Sequence, residues 1–129
     1  MKNKIIIAGI ALITLLFAAA FGLSHNLSYM RDIELHSIDL TIIEDGSHTG
    51  TFERGRFTNT LTVHVEGGRI IGIDIDNDVW GAWVTNISDE VFSRVIDAQG
   101  LEIDAIAGAT VTMNAYLSAI KNALLRAVE

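Results

Sequence analysis

Cysteine and proline are both missing from this chain of 129 residues, aromatic side chains make up 7%, and cations are scarce, 9 against 16 acids. Without cysteine there is no disulfide framework, no thiolate metal site, no iron–sulfur ligation and no cysteine to carry a lipid anchor. Stability has to come from packing alone. The formal charge is −7. Both lysines and no acid of the first 23 residues set aside, 7 basic side chains face 16 acidic ones, a net of −9 for the remainder. Such a surface disfavours nucleic acid and anionic lipid headgroups as partners. Internal repeats and low-complexity segments are absent as well.

What is present begins with one long apolar run. Ile5 to Leu23 holds 19 uncharged residues behind Lys2 and Lys4, about the length that crosses bilayer hydrocarbon. The basic flank on the short N-terminal side predicts a single-pass anchor in the cell membrane with the soluble domain outside the cytoplasm. A cleaved signal segment is the alternative, since Ala18-Ala19-Ala20 offers a small-residue cleavage site, although the run exceeds a usual signal core. Either reading exports the rest. We divide the chain into an anchor or signal segment (1–23), a connector (24–37), amphipathic and helical in part, and one domain (38–129) of ordinary size.

Within that domain a turn signal at Asp45-Gly46 introduces three expected strands, Thr49 to Glu53, Leu61 to Val65 and Arg69 to Asp76. Leu61, Val63 and Val65 alternate with polar residues, and Glu66-Gly67-Gly68 is a hairpin turn. In the third strand Ile71, Ile73 and Ile75 are expected on the buried face and Gly72, Asp74 and Asp76 on the wet one. Asp74, Asp76 and Asp78 open like a calcium loop, but Val79 stands where the sharp turn needs glycine and Thr85 where a bidentate Glu is needed. The segment Asn77 to Asn86 has no clear period, carries Trp80 and Trp83, and reads as a loop. Ser88 reads as the N-cap of a helix through Gln99 that Gly100 ends, with Asp89 and Glu90 in its first turn and Val91, Phe92, Val95 and Ile96 on its apolar stripe. A final helix from about Val111 to Val128 buries Met113, Tyr116, Leu117, Ile120, Ala123, Leu124 and Ala127. The fold class is therefore α+β: a small antiparallel sheet with C-terminal helices, preceded by one N-terminal transmembrane helix.

The stretch "DAIAGATVTMNAY", Asp104 to Tyr116, sets small residues at the mouth of that last helix. A helix start presents unpaired N–H groups at the positive end of its dipole, and a preceding glycine lets an anion reach the backbone. That is a phosphate site in outline, with the hydroxyls of Thr110 and Thr112 beside it. The plainer alternative makes one of those threonines an N-cap and Gly108 a turn residue, with nothing bound.

The same stretch resembles the D-x-x-[ST]-G-A-T motif of the FMN-binding domain family, found in the C subunit of sodium-translocating NADH:quinone reductase and the G subunit of Rnf electron-transfer complexes. "IEDGSHTGTF" is similar to the family's D-G-x-Y-x-G opening, "LTVHVEGGRIIGIDI" to its V-x-V-x-x-G-K-I hairpin, and "VIDAQGLEIDAIAGATVTMNAYLSAIKNAL" to its terminal helix, turn and helix. The resemblance thus covers roughly Ile38 to Glu129. It implies FMN as cofactor, joined through its phosphate to Thr110 by a separate flavin transferase that uses FAD, with Asp104, Gly108 and Ala109 as matching motif residues. Thr112 is the fallback acceptor or a helix cap. Trp80 and Trp83 are aromatics for stacking on the isoalloxazine or for packing the domain's own rim. Ala107 departs from the Ser or Thr usual before Gly108, and Met113 from the small polar residue that often follows the motif. The tryptophan segment also lacks the His and Thr-Pro-Gly pattern common in members.

From the resemblance follows an extracytoplasmic electron carrier rather than a self-sufficient enzyme, its partners being the membrane, the transferase, and redox proteins or the quinone pool. A reductase subunit acting on an external acceptor and a flavin-free anchored interaction module are the alternatives. No metal site is expected, because His25, His36, His48 and His64 form no pair at i, i+3 or i, i+4.

Overall fold

A computed structural model describes residues 1–31, 38–79, 81 and 85–128. The chain divides into two compact units, Met1–Asp32 and Ile33–Glu129. The first is one helix, α1 (Lys2–Arg31), whose stretch Lys2–Phe21 is long and apolar enough to cross a membrane. Ile5, Ile7, Leu15 and Phe17 on it are exposed, with nothing in the unit to cover them.

The second unit is α+β. Strands β1 (Gly46–Phe52), β2 (Asn59–Glu66) and β3 (Arg69–Asp78) form an antiparallel sheet in the order β1-β2-β3, and helices α2 (Thr85–Ala98) and α3 (Thr110–Arg126) follow. Two 3-10 turns, Leu40–Ile42 and Gly55–Phe57, precede β1 and β2. β2 is the central strand, and its alternation works as the sequence requires: Leu61, Val63 and Val65 are buried while Thr60, Thr62 and His64 face outward. α3 lies on the inner face and supplies Met113, Tyr116, Leu117, Ile120 and Leu124 to the core, while α2 adds Val91, Phe92 and Val95. The Phe92 and Tyr116 rings meet edge to face, centroids 5.6 Å apart.

The helix meets β1 at one glycine. A Cβ on Gly50 would stand 2.2 Å from the Ala119 carbonyl oxygen and 2.3 Å from the Ala123 nitrogen, so only Gly opposite two alanines, one turn apart on α3, permits this approach. Asn122 fixes the contact by donating from Nδ2 to the Thr51 carbonyl at 2.8 Å.

Several expectations are corrected. Ile71 is 58% and Ile75 38% exposed rather than buried, Ile73 is half-buried, and Ile70 is buried in the place of Ile71. The register explains the exchange: Val65 pairs with Ile70 and His64 with Gly72, leaving Ile71 as the extra residue of a bulge. A second irregularity, at Asp76, returns Asp78 to the inner face. Next, α2 starts at Thr85, so Ser88 lies inside the helix and is buried, and Asp89 and Glu90 fall beyond its first turn. The apolar stripe specifies the helix face but not its first residue. Finally, Gln99, not Gly100, takes the left-handed position after α2, with φ 51°. The N–H of Gly100 bonds to Val95 O and that of Gln99 to Ile96 O, the paired closure of a Schellman motif. The Gln99 amide meanwhile accepts from Ile70 N–H at 2.8 Å and donates to Ile70 O at 2.9 Å. A side chain thereby closes the free edge of β3, which offsets the cost of a non-glycine residue at positive φ. The segment Asn77 to Asn86 is likewise shared out: Asn77 and Asp78 finish β3, and Thr85 and Asn86 begin α2.

Candidate functional site

The chain reaches α3 through a tight turn. Ala109 N–H donates to Ile106 O at 3.0 Å, and Gly108 sits at φ +75° while Ala107 keeps a negative φ. This is a type II turn, whose third position demands positive φ and so selects glycine. Nothing lies within 4 Å of where a Gly108 Cβ would stand, and Ala107 and Gly108 are both exposed.

Ala109 is the N-cap of α3 and makes no side-chain cap bond. The first intrahelical bond runs from Met113 N–H to Ala109 O at 2.8 Å. The N–H groups of Thr110, Val111 and Thr112 therefore have no helical acceptor, and no acid occupies the first turn. The capping alternative for the threonines is overturned. Thr110 is the first helical residue and Thr112 the third, both half-buried, and neither caps the helix. What remains is an open helix start with two hydroxyls, next to a turn with free space around it.

Side chains from the sheet fix where this start lies. Asn59, at the beginning of β2, is buried, and its Nδ2 donates to Phe57 O at 3.1 Å and to Ala115 O at 3.3 Å. Tyr116 donates from its hydroxyl to Asp78 Oδ2 at 2.5 Å, at the end of β3. Burial, then the Asp78 carboxylate, push the Tyr116 hydroxyl far above its usual range. The first turns of α3 thus lie over the end of the sheet where β2 begins and β3 finishes, beside the 3-10 turn whose Arg56 guanidinium sits 5.0 Å from the Phe57 ring centre. Asn59 Oδ1, at this same end, is the one buried side-chain polar atom among the described residues that lacks a partner.

Asp104 is exposed, six positions before Thr110 opens α3, and its carbonyl accepts from Arg94 Nη1 of α2 at 2.9 Å. That contact is invisible in the sequence, where Arg94 lies in a helix with no motif spacing to the turn. Asp104, Gly108, Ala109, Thr110 and Thr112 thus fall on one continuous segment, and Trp80 and Trp83 lie outside the described residues.

A family model described as the FMN-binding domain matches residues 55–125, from the 3-10 turn before β2 to the end of α3. The chain belongs to the FMN-binding domain family. Its cofactor is accordingly FMN. No curated protein matches the chain. β1 lies outside the matched residues yet pairs with β2 along its whole length, from Gly46 opposite Val65 to Phe52 opposite Asn59, and so completes the domain's sheet. The open, uncapped start of α3 suits the phosphate end of FMN: dipole, free N–H groups and absent acid all favour a dianion.

The remaining polar contacts of this domain belong to the sheet. Ser47 Oγ lies 2.8 Å from His64 Nδ1, and His64 Nε2 lies 2.6 Å from Asp74 Oδ2. Thr49 pairs with Thr62, Thr51 with Thr60, and Thr62 donates to Asp76 at 2.6 Å. Ser47, His64 and Asp74 have the composition of a nucleophile relay, but Ser47 stands directly opposite His64 and Asp74 is the diagonal neighbour of His64, which pairs with Gly72, so both contacts are those of ordinary cross-strand neighbours on the outer face. Asp74, Asp76 and Asp78 make separate bonds on two faces, and no group of three acids or histidines that could hold a metal occurs among the described residues.

Proposed function

We propose that this FMN-binding domain carries its flavin covalently on Thr110, is held at the membrane by α1 outside the cytoplasm, and relays electrons between redox partners. The observation that carries the reading is the uncapped start of α3, with Thr110 as its first residue after the open Gly108 turn. Thr110 is half-buried and caps nothing, so its hydroxyl is available as a nucleophile. A flavin transferase supplies activation. The Thr110 oxygen bonds to the flavin-side phosphorus of FAD, the phosphoanhydride bond to AMP breaks, and the hydroxyl proton passes to the transferase. The phosphodiester left behind keeps its negative charge at the helix start, where the N–H groups of Val111 and Thr112 face no acid. Thr112, two residues on, is the alternative acceptor.

Bound FMN supplies one- and two-electron redox chemistry, and the chain holds, orients and shields it. Covalent attachment suits an exported domain, because a small cofactor released outside the cytoplasm is lost by dilution. Lys2 and Lys4, ahead of the apolar stretch, support that orientation.

Coexpression with a flavin transferase tests the reading. Acid-precipitated wild-type chain is expected to stay yellow and to gain the mass of FMN less water. Thr110→Ala is expected to lose the adduct entirely while changing stability by less than about 0.5 kcal/mol, as for a surface position that is no cap. Adduct retained in Thr110→Ala and lost in Thr112→Ala moves the acceptor by two residues; adduct retained in both removes the covalent reading.

A further inference from the structure

Between Leu101 and the turn at Ile106 the chain has no regular secondary structure, yet it is held at three points. Leu101 is buried in the core, Ile103 N–H donates back to Leu101 O at 3.1 Å, and Arg94 grips the carbonyl of Asp104. The Arg94 guanidinium spans two elements: Nη1 donates to Asp104 O at 2.9 Å and Nη2 to Glu90 Oε1 at 2.5 Å. Glu90 is one helical turn before Arg94 and fixes its direction.

The surroundings make this guanidinium hard to replace. Arg94, Asp97, Glu102 and Asp104 line an open cavity of about 620 Å³ between α2 and the segment. Arg94 is the one basic residue of α2. Without it Asp97 of α2 and Glu102 and Asp104 of the segment are left as like charges around that cavity, a repulsion that favours separation of the segment from the helix. Arg94 therefore does two things to the residues leading into the acceptor turn, bonding their backbone and balancing their charge.

We infer that Arg94 is a positioning residue for flavin attachment: it clamps the Asp104 segment to α2, so that the turn and Thr110 meet the transferase as a fixed surface. This rests on Thr110 being the acceptor. A modifying enzyme that must align one hydroxyl with a phosphorus atom loses rate steeply when the acceptor is misplaced.

The test uses the full-length chain in detergent, with FAD and a flavin transferase, and follows adduct formation by intact mass beside cleavage by a glutamyl endoproteinase after Glu102 in the unmodified chain. Arg94→Gln at equal folded concentration is expected to be labelled on the order of tenfold more slowly and to be cut faster after Glu102, with α3 still protected. Arg94→Lys keeps a cation that donates to the Asp104 carbonyl and is expected to recover most of the rate, whereas Arg94→Met, with a comparable aliphatic stem and no charge, is expected to stay slow; a purely packing role predicts recovery in both. Labelling of Arg94→Gln at the wild-type rate overturns the inference, as does unchanged cleavage after Glu102. Should Arg94→Gln not fold, Arg94→Met, which keeps the aliphatic stem, carries the same two measurements. If wild type takes no FMN while cleavage still rises in Arg94→Gln, the acceptor reading fails and Arg94 is reduced to a structural clamp; unchanged cleavage with normal wild-type labelling removes the clamp alone.

Discussion

Gly50 and Gly108 both serve α3, and for opposite reasons. A side chain on Gly50 would run into the helix backbone, 2.2 Å from Ala119 O, whereas one on Gly108 would meet nothing within 4 Å. Gly50 adopts no left-handed φ, and Gly108 stands at +75°. The first glycine is there because of what surrounds it, the second because of its own backbone and the space it leaves. The same helix is thus pressed into the sheet along its middle and left uncapped and accessible at its start. Tight packing along the middle gives the start a fixed place without covering it, the arrangement that the proposed attachment at Thr110 requires.

The largest expected effect breaks the packed side of this contrast. Gly50→Ala sets a methyl group against backbone atoms that no rotamer change can move, so α3 must separate from β1. We expect a loss of at least about 3 kcal/mol, at the upper end for overpacking. Urea unfolding of the chain measures it, and a midpoint within error of wild type shows that α3 does not lie this close to β1.

A smaller effect is expected at Tyr116, where α3 turns from packed to open. Tyr116→Phe removes the hydrogen bond to Asp78, at a cost of about 2 kcal/mol for a bond to a charged group. Its pH dependence is more telling. Because the folded-state pKa of Tyr116 is raised above the ordinary 10.0, the stabilisation is complete below about pH 10 and is lost as pH rises above it. Wild type is expected to lose up to about 1.4 kcal/mol per pH unit there through this group. Tyr116→Phe, starting lower, is expected to show a flatter alkaline limb, and parallel limbs for the two chains in denaturation between pH 9 and 11 contradict the Tyr116–Asp78 pairing.

Much of this contrast is legible in the sequence, and the exceptions have physical causes. Leu61, Val63 and Val65 announce β2 because one face is buried along its whole length. β1 begins three residues before its expected start at Thr49, since its inner face is built around Gly50 and shows no apolar alternation. Ile71 is misassigned because a bulge is a property of strand pairing, and three isoleucines at even spacing conceal it. Gly100 looks like the end of α2, but Gln99 wins that position through bonds to Ile70, far off in sequence. The turn and helix at Ile106 to Thr112 are readable because glycine, alanine and threonine each act locally there. Arg94 is not readable, since its partner is a backbone carbonyl that any residue could supply.

The smallest expected effect sharpens the open side. Gly108→Ala adds a methyl group into free space, so its cost is that of holding an L-residue in the left-handed region, about 1 kcal/mol. That is a fraction of the Gly50→Ala loss from the same chemical change. Should the turn matter only for folding, flavin content would fall in step with the folded fraction, and a cost this small leaves nearly every molecule folded. The reading of Thr110 as acceptor requires more. The added methyl projects from the exposed turn immediately before the helix start, where the transferase must bring the flavin phosphate, so labelling of the folded chain is expected to slow further with Gly108→Val than with Gly108→Ala. Adduct formation per folded molecule, with the folded fraction taken from protease resistance at low temperature, separates the two. Full-rate labelling of a folded Gly108→Val chain shows that the phosphate approaches Thr110 from elsewhere, and the space around Gly108 then serves no access.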